Sequence, residues 1–140
     1  MKPVLRGVGG MVGLDTNVIL RVLLDDDPVQ SALARQVFLE LSPQRPGFIT
    51  SVTLAEVYWN LSRRQGLTRA DCLAVVRRLV ETEALEFDDG EGVVRALELA
   101  EAGADFPDAL IHGTYEQFSI AEAVTFDRKA SSYLGWHLLG

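Results

Sequence analysis

Apolar residues along the chain alternate between short runs, which are typical of strands, and longer stretches with the three-to-four-residue period of a helix. The short runs predict strands at 12–14, 47–51, 85–87, 121–126 and 136–139. The periodic stretches predict helices at 17–24, 28–41, 53–64, 69–83, 92–102 and 107–118. Pro28 and Pro107 suit the first turn of a helix, where the N–H that proline lacks would be unpaired in any case.

This alternation of strands and helices predicts an α/β fold with a mainly parallel sheet covered on both faces. A length of 140 residues fits one domain. We expect this domain to span 11–140. The preceding residues 1–10 contain three glycines and predict a flexible leader.

Composition restricts the class of protein. Hydrophobic residues make up 48% and charged residues 24%, as in an ordinary globular protein, and no stretch is long enough to span a membrane. The start shows no secretory signal, and a single cysteine, Cys72, excludes an intrachain disulfide and favours the cytoplasm.

A net charge of −7 argues against a broad basic surface for nucleic acid. Arg63 and Arg64 belong to a local arginine cluster that is either a solvated face or a rim for phosphate or a partner.

Four acidic residues lie within or beside apolar runs, where a carboxylate is costly to desolvate: Asp15, Glu56, Asp108 and Asp127. Two follow predicted strands and two fall in first turns of helices, so all four can converge at one sheet edge. Two such charges about 5 Å apart repel by roughly 3 kcal/mol at an effective dielectric near 20. A shared Mg²⁺ or Mn²⁺ would offset this repulsion. Taken singly, the three aspartates could instead be helix caps or first-turn acids.

Four segments resemble, in order, the four acidic motifs of PIN domains, and those of VapC-type toxins in particular. They are LDTNVIL at 14–20, SVTLAEV at 51–57, ADFPDALI at 104–111 and VTFDRK at 124–129. The resemblance covers about residues 11–139. It implies a three-layer α/β/α sandwich with a central mainly parallel sheet.

The resemblance also implies a site and a function. Asp15, Glu56, Asp108 and Asp127 would be the catalytic, metal-binding quartet, with Mg²⁺ or Mn²⁺ as cofactor. Polar groups beside them would orient carboxylates or water: Asn17, Thr125 and Asp105, although Asp105 serves equally well as a helix cap. The function implied is a metal-dependent endoribonuclease cleaving single-stranded or structured RNA, a homodimeric toxin blocked by a small antitoxin. The alternative is a PIN nuclease of RNA maturation or decay without an antitoxin.

Other hypotheses about function have weaker support in the sequence. His112, one turn after Asp108, is either near the site or a surface histidine. An aspartyl-phosphate phosphatase would place an acid where Asn17 stands. A receiver domain would place a lysine after a late strand, but the only lysines are Lys2 and Lys129. A binding module without catalysis would not need the complete quartet.

Overall fold

The structure is a computed structural model that describes residues 2–7 and 9–140. Its strands are β1 (Val12–Gly13), β2 (Gly47–Ile49), β3 (Leu85–Phe87), β4 (Val124–Thr125) and β5 (His137–Leu138). Its α-helices are α1 (Thr16–Leu24), α2 (Pro28–Glu40), α3 (Ser51–Trp59), α4 (Arg69–Val80), α5 (Gly90–Glu101), α6 (Phe106–Gln117) and α7 (Arg128–Leu134). A π-helical turn, Asn60–Arg64, continues α3.

The strands form parallel ladders, as the crossover helices between them require. One sheet has the order β1-β2-β3, and β4 and β5 form a second, two-stranded sheet. In the larger sheet Gly47 pairs with Val12 and with Leu85. A Cβ at Gly47 would lie 2.7 Å from Leu14 Cδ1, so a larger residue there would displace the Leu14 side chain. The predicted three-layer α/β fold with a parallel sheet is confirmed.

The core lies between the sheet and its helices. Ile19, Ile49, Leu54 and Phe106 are fully buried, and the Phe106 ring packs 5.2 Å from the ring of Tyr58. Removing such side chains from water is the main source of stability for a domain of this size. Because Phe106 opens α6, its burial fixes the start of that helix against the core.

Several predicted boundaries were wrong. The strand predicted at 47–51 ends at Ile49, because α3 already begins at Ser51. The helix predicted at 53–64 changes to a π-helical turn after Trp59, and the helix predicted at 69–83 ends at Val80. The strand predicted at 121–126 pairs only through Val124 and Thr125, because the flanking apolar side chains are not buried: Phe126 is 82% exposed. The pattern did not predict α7 as a separate element, since few of its residues are apolar.

The start of the chain contacts α2. The N–H groups of Val4 and Leu5 donate to the carboxylate of Glu40, at 2.9 and 3.0 Å, and these bonds lower the pKa of Glu40. Arg45 donates to the carbonyls of Arg6 and Gly7. The flexibility expected of the leader stays a prediction, and Met1 and Val8 lie outside the described residues. No helix within 2–7 and 9–140 combines the length and apolarity needed to cross a membrane.

Candidate active site

Asp108 lies in the first turn of α6 and is half-buried. The Asp105 carboxylate caps this helix by accepting from the Asp108 N–H at 3.1 Å. Burial raises the pKa of the Asp108 carboxyl above its ordinary value. The charges of Asp105 and Asp127 raise it further, and Lys129 opposes them. The structure therefore places two other predicted acids, Asp105 and Asp127, within electrostatic reach of Asp108.

Asp127 follows β4 and caps α7. Its Oδ1 accepts from the backbone N–H groups of Lys129 and Ala130, at 2.8 and 3.2 Å. Its own N–H donates to the Thr125 hydroxyl at 2.9 Å. Both capping bonds use Oδ1, so Oδ2 takes no part in the cap. Thr125 thus contacts Asp127 directly, as a residue that orients this acid would.

Asp15 stands at the N-cap position of α1, after β1, but its side chain makes no capping hydrogen bond. Asp15 therefore occupies the N-cap position that the cap interpretation predicts, but without the side-chain hydrogen bond of a cap. Its carboxylate is exposed. Asn17, two residues later, is also exposed and lines a groove between α1 and α2.

Glu56 is exposed on α3 and lines a cavity of about 410 Å³ between α3 and α6. The other lining residues are largely apolar: Ser51, Val52, Ala55, Trp59, Pro107, Leu110, Ile111 and Thr114. Pro107 immediately precedes Asp108. The cavity therefore connects the helix of Glu56 with the first turn that carries Asp108.

The four acids differ in burial. Of the quartet only Asp108 is shielded from water, so the expectation that all four carboxylates are costly to desolvate was wrong for Asp15, Glu56 and Asp127. Within residues 2–7 and 9–140, no three acidic, histidine or cysteine side chains are arranged to hold one ion as they stand. The convergence of the whole quartet on one ion stays a prediction.

The chemistry of the donors nevertheless fits a hard divalent cation. The quartet offers only carboxylate oxygens, which such ions prefer over nitrogen and sulfur ligands. The raised pKa of Asp108 reflects the cost of ionising a half-buried acid beside two others. A cation bound by Asp108 and Asp127 would offset that cost.

Sequence reasoning missed two charged residues near the site. Lys129 is close enough to Asp108 to lower its pKa, and its place in the first turn of α7, two residues after Asp127, was the available signal. Asp88 follows β3 and accepts from the backbone N–H and hydroxyl of Ser51, at 2.9 and 2.8 Å. Asp88 thereby ties the end of β3 to the start of α3.

Two other residues singled out by the sequence have defined contacts. The His112 ring is engaged by Trp136, whose indole Nε1 donates to Nδ1 at 3.0 Å. The guanidinium carbon of Arg64 lies 6.0 Å from the centre of the Trp59 ring, beside the cavity that contains Glu56. At that distance a cation is attracted to the ring face.

A family model described as PIN domain matches residues 12–133. The match covers most of the chain, and the chain belongs to the PIN domain family. PIN domains are generally nucleases that act on RNA and generally use divalent metal ions. No curated protein matches the chain.

Proposed function

We propose that this PIN domain protein is an endoribonuclease whose catalytic acids, Asp15, Glu56, Asp108 and Asp127, hold Mg²⁺ or Mn²⁺. The observation that carries the proposal is the half-buried Asp108, whose pKa is raised by burial and by the neighbouring acids Asp105 and Asp127. Perturbed acids beside a cavity are characteristic of functional sites. Water activation and neutralisation of phosphate charge are the chemistry that a bound divalent cation supplies.

The protein's own residues position these acids. Asp105 fixes the first turn of α6 through the Asp108 N–H, and Thr125 accepts from the Asp127 N–H. These bonds hold the backbone of each aspartate, which limits where its carboxylate can point. Lys129 adds a positive charge near Asp108 that offsets part of the repulsion between the acids.

The test compares two matched aspartates. Asp108 and Asp71 each lie in the first turn of a helix, but only Asp108 belongs to the acidic cluster. Asp108→Asn should abolish cleavage of a single-stranded RNA in Mg²⁺ or Mn²⁺, while Asp71→Asn should cleave like the wild type. Wild-type rates in purified Asp108→Asn would refute the assignment.

The likeness of the four motifs to VapC-type toxins supports a finer proposal. The chain acts as a toxin in the cytoplasm, and a small antitoxin encoded beside it covers the acidic site. Expressed alone, the chain should arrest growth of its host, and co-expression of the neighbouring small gene should relieve the arrest. A chain that is harmless alone and copurifies with no small partner would contradict the toxin role and favour RNA maturation or decay.

Apolar side chains exposed on α2 support a homodimer. Val29 and Leu33, one helical turn apart, are 71% and 53% exposed, and Leu33 lines the groove between α1 and α2. Exposed apolar side chains grouped in this way indicate an interaction site. We propose that a second copy of the chain covers this groove.

A further inference from the structure

His112 and Trp136 form a contact that the proposed chemistry does not use. The indole Nε1 of Trp136 donates to His112 Nδ1 at 3.0 Å, and the two ring centres are 6.3 Å apart. The Tyr115 ring also packs against Trp136, with their ring centres 5.6 Å apart. Both partners of the hydrogen bond are half-buried, where a directed bond is stronger than in water.

This bond connects two parts of the domain that are otherwise joined by packing. Among the hydrogen bonds and ion pairs of residues 2–7 and 9–140, it is the one that links segment 121–140 to the rest of the chain. The small sheet within that segment is not paired with the larger sheet. Leu134 and Trp136 also pack against the core, and the hydrophobic effect that drives this packing has no preferred direction. The hydrogen bond adds a directed contact that constrains the orientation of the segment.

The two ends of the bond lie on elements that carry site residues. His112 is one helical turn after Asp108 on α6. Trp136 immediately precedes β5, whose His137 and Leu139 N–H groups donate to the Ala123 and Thr125 carbonyls flanking β4. Asp127 follows β4 directly. A shift of Trp136 relative to His112 therefore moves Asp127 relative to Asp108.

The chemistry of the pair fixes how His112 takes part. Indole nitrogen can only donate, so Nδ1 must be the accepting, unprotonated nitrogen of the imidazole. The other nitrogen, Nε2, lies 3.7 Å from Glu116 Oε1, beyond hydrogen-bond distance. Arg95 already binds that carboxylate through Nε at 3.0 Å and Nη2 at 3.2 Å. Among residues 2–7 and 9–140, His112 thus has one hydrogen-bond partner, Trp136.

We propose that His112 is a positioning residue: through its hydrogen bond to Trp136 it sets the placement of Asp127 relative to Asp108. The catalytic part of this proposal rests on the proposed nuclease function. The structural part, that the bond holds segment 121–140 in place, does not. The two parts are therefore tested by different measurements.

Kinetics test the catalytic part. His112→Leu removes the acceptor, whereas His112→Asn offers an amide oxygen near the position of Nδ1. We expect His112→Leu to lower kcat for RNA cleavage by about tenfold or more, because small misplacements of catalytic groups have effects of this order, with little change in KM. His112→Asn should recover most of the loss. His137→Leu is the matched control, since His137 is exposed on β5, and it should leave kcat unchanged.

Amide hydrogen exchange tests the structural part without reference to activity. In His112→Leu and in Trp136→Phe, the His137 and Leu139 amides should exchange at least severalfold faster than in the wild type. The Gly47 amide, which donates to Ala84 in the larger sheet, should be unchanged. A kcat in His112→Leu within about twofold of the wild type, or equal losses in His112→Leu and His112→Asn, would overturn the positioning role. If the wild type cleaves no RNA, the proposed function fails, and the exchange measurement alone decides the structural part. Unchanged exchange at His137 and Leu139 would overturn that part, whether or not the wild type cleaves RNA.

Discussion

At the scale of single residues, the ionisation of Asp108 is the central energetic question. Its place in the first turn of α6 favours a negative charge, because the N-terminus of a helix carries positive partial charge. Burial and the charges of Asp105 and Asp127 act in the opposite direction and prevail, since the pKa of Asp108 is raised. In the protein without metal, the ionised Asp108 side chain therefore lowers stability. A bound cation would offset this loss.

This balance predicts a pH-dependent effect of Asp108→Asn. An acid whose pKa is raised by folding contributes stability at low pH that is lost as the pH rises through its folded pKa. The free energy of unfolding of the metal-free variant should therefore match the wild type in acid and exceed it at neutral pH. Urea unfolding over a series of pH values, in the presence of a chelator, measures the difference.

Asp71→Asn is the control for a helix first-turn charge outside the cluster. We expect it to lower stability at neutral pH by about 0.5 kcal/mol, because it removes a charge that favours the N-terminus of α4. A metal-free Asp108→Asn that is less stable than the wild type at neutral pH would contradict the electrostatic account of Asp108.

At the scale of elements, α6 depends on its cap. Asp105 accepts from the Asp108 N–H, and Pro107 occupies the first turn. The sequence left two roles open for Asp105, a further site carboxylate or a helix cap. The hydrogen bond establishes the cap, and the charge of Asp105 also contributes to the raised pKa of Asp108.

Two substitutions separate the roles of Asp105. Asn is as good an N-cap as Asp, so Asp105→Asn should keep stability and most of the RNA cleavage activity. Asp105→Ala removes the cap and should lower the free energy of unfolding by about 1 kcal/mol. Thermal unfolding and the cleavage assay, applied to both variants, distinguish them. Loss of cleavage in Asp105→Asn with full stability would show instead that the Asp105 carboxylate itself is needed at the site.

The elements differ in how well the sequence predicts them. A proline at the first turn identified α2 and α6 to within a residue at their starts. The π-helical turn after Trp59 was not predictable, because its apolar pattern continues that of α3. For α7, the signals are the Asp127 cap and the left-handed Gly135 at its end rather than hydrophobic periodicity. Caps and turns depend on local hydrogen bonds that a hydrophobic pattern does not record.

At the scale of the whole molecule, the sequence predicted the order of elements and the family but could not establish the geometry of the site. Asp108 and Asp127 approach each other because α6 packs beside the segment that contains β4 and α7, which is a tertiary effect. The differing exposure of the four acids likewise depends on packing around each helix start. Motif order therefore identifies the acids, whereas distances between their carboxylates come only from the fold.

The proposed homodimer is tested by charge on the groove between α1 and α2. Val29→Asp or Leu33→Asp would bury a charge in the interface, which is costly when nothing pairs with it. Each should convert the dimer to a monomer, as measured by light scattering at concentrations on the order of tens of micromolar. Leu39→Asp is the control, because Leu39 is 79% exposed on α2 and does not line this groove. A wild type that is monomeric under these conditions, or a dimer that survives both interface changes, would contradict the proposal.

Cleavage of a single-stranded RNA before and after chelation tests the central claim most directly. The proposed role of the four carboxylates is to hold a divalent cation, and this cation would activate a water molecule as the nucleophile. We predict that the wild type loses cleavage in a chelator and regains it when Mg²⁺ or Mn²⁺ is restored, with products that carry no 2′,3′-cyclic phosphate, because water rather than the ribose hydroxyl attacks. Undiminished cleavage in the chelator, or cyclic phosphate ends, would contradict the account.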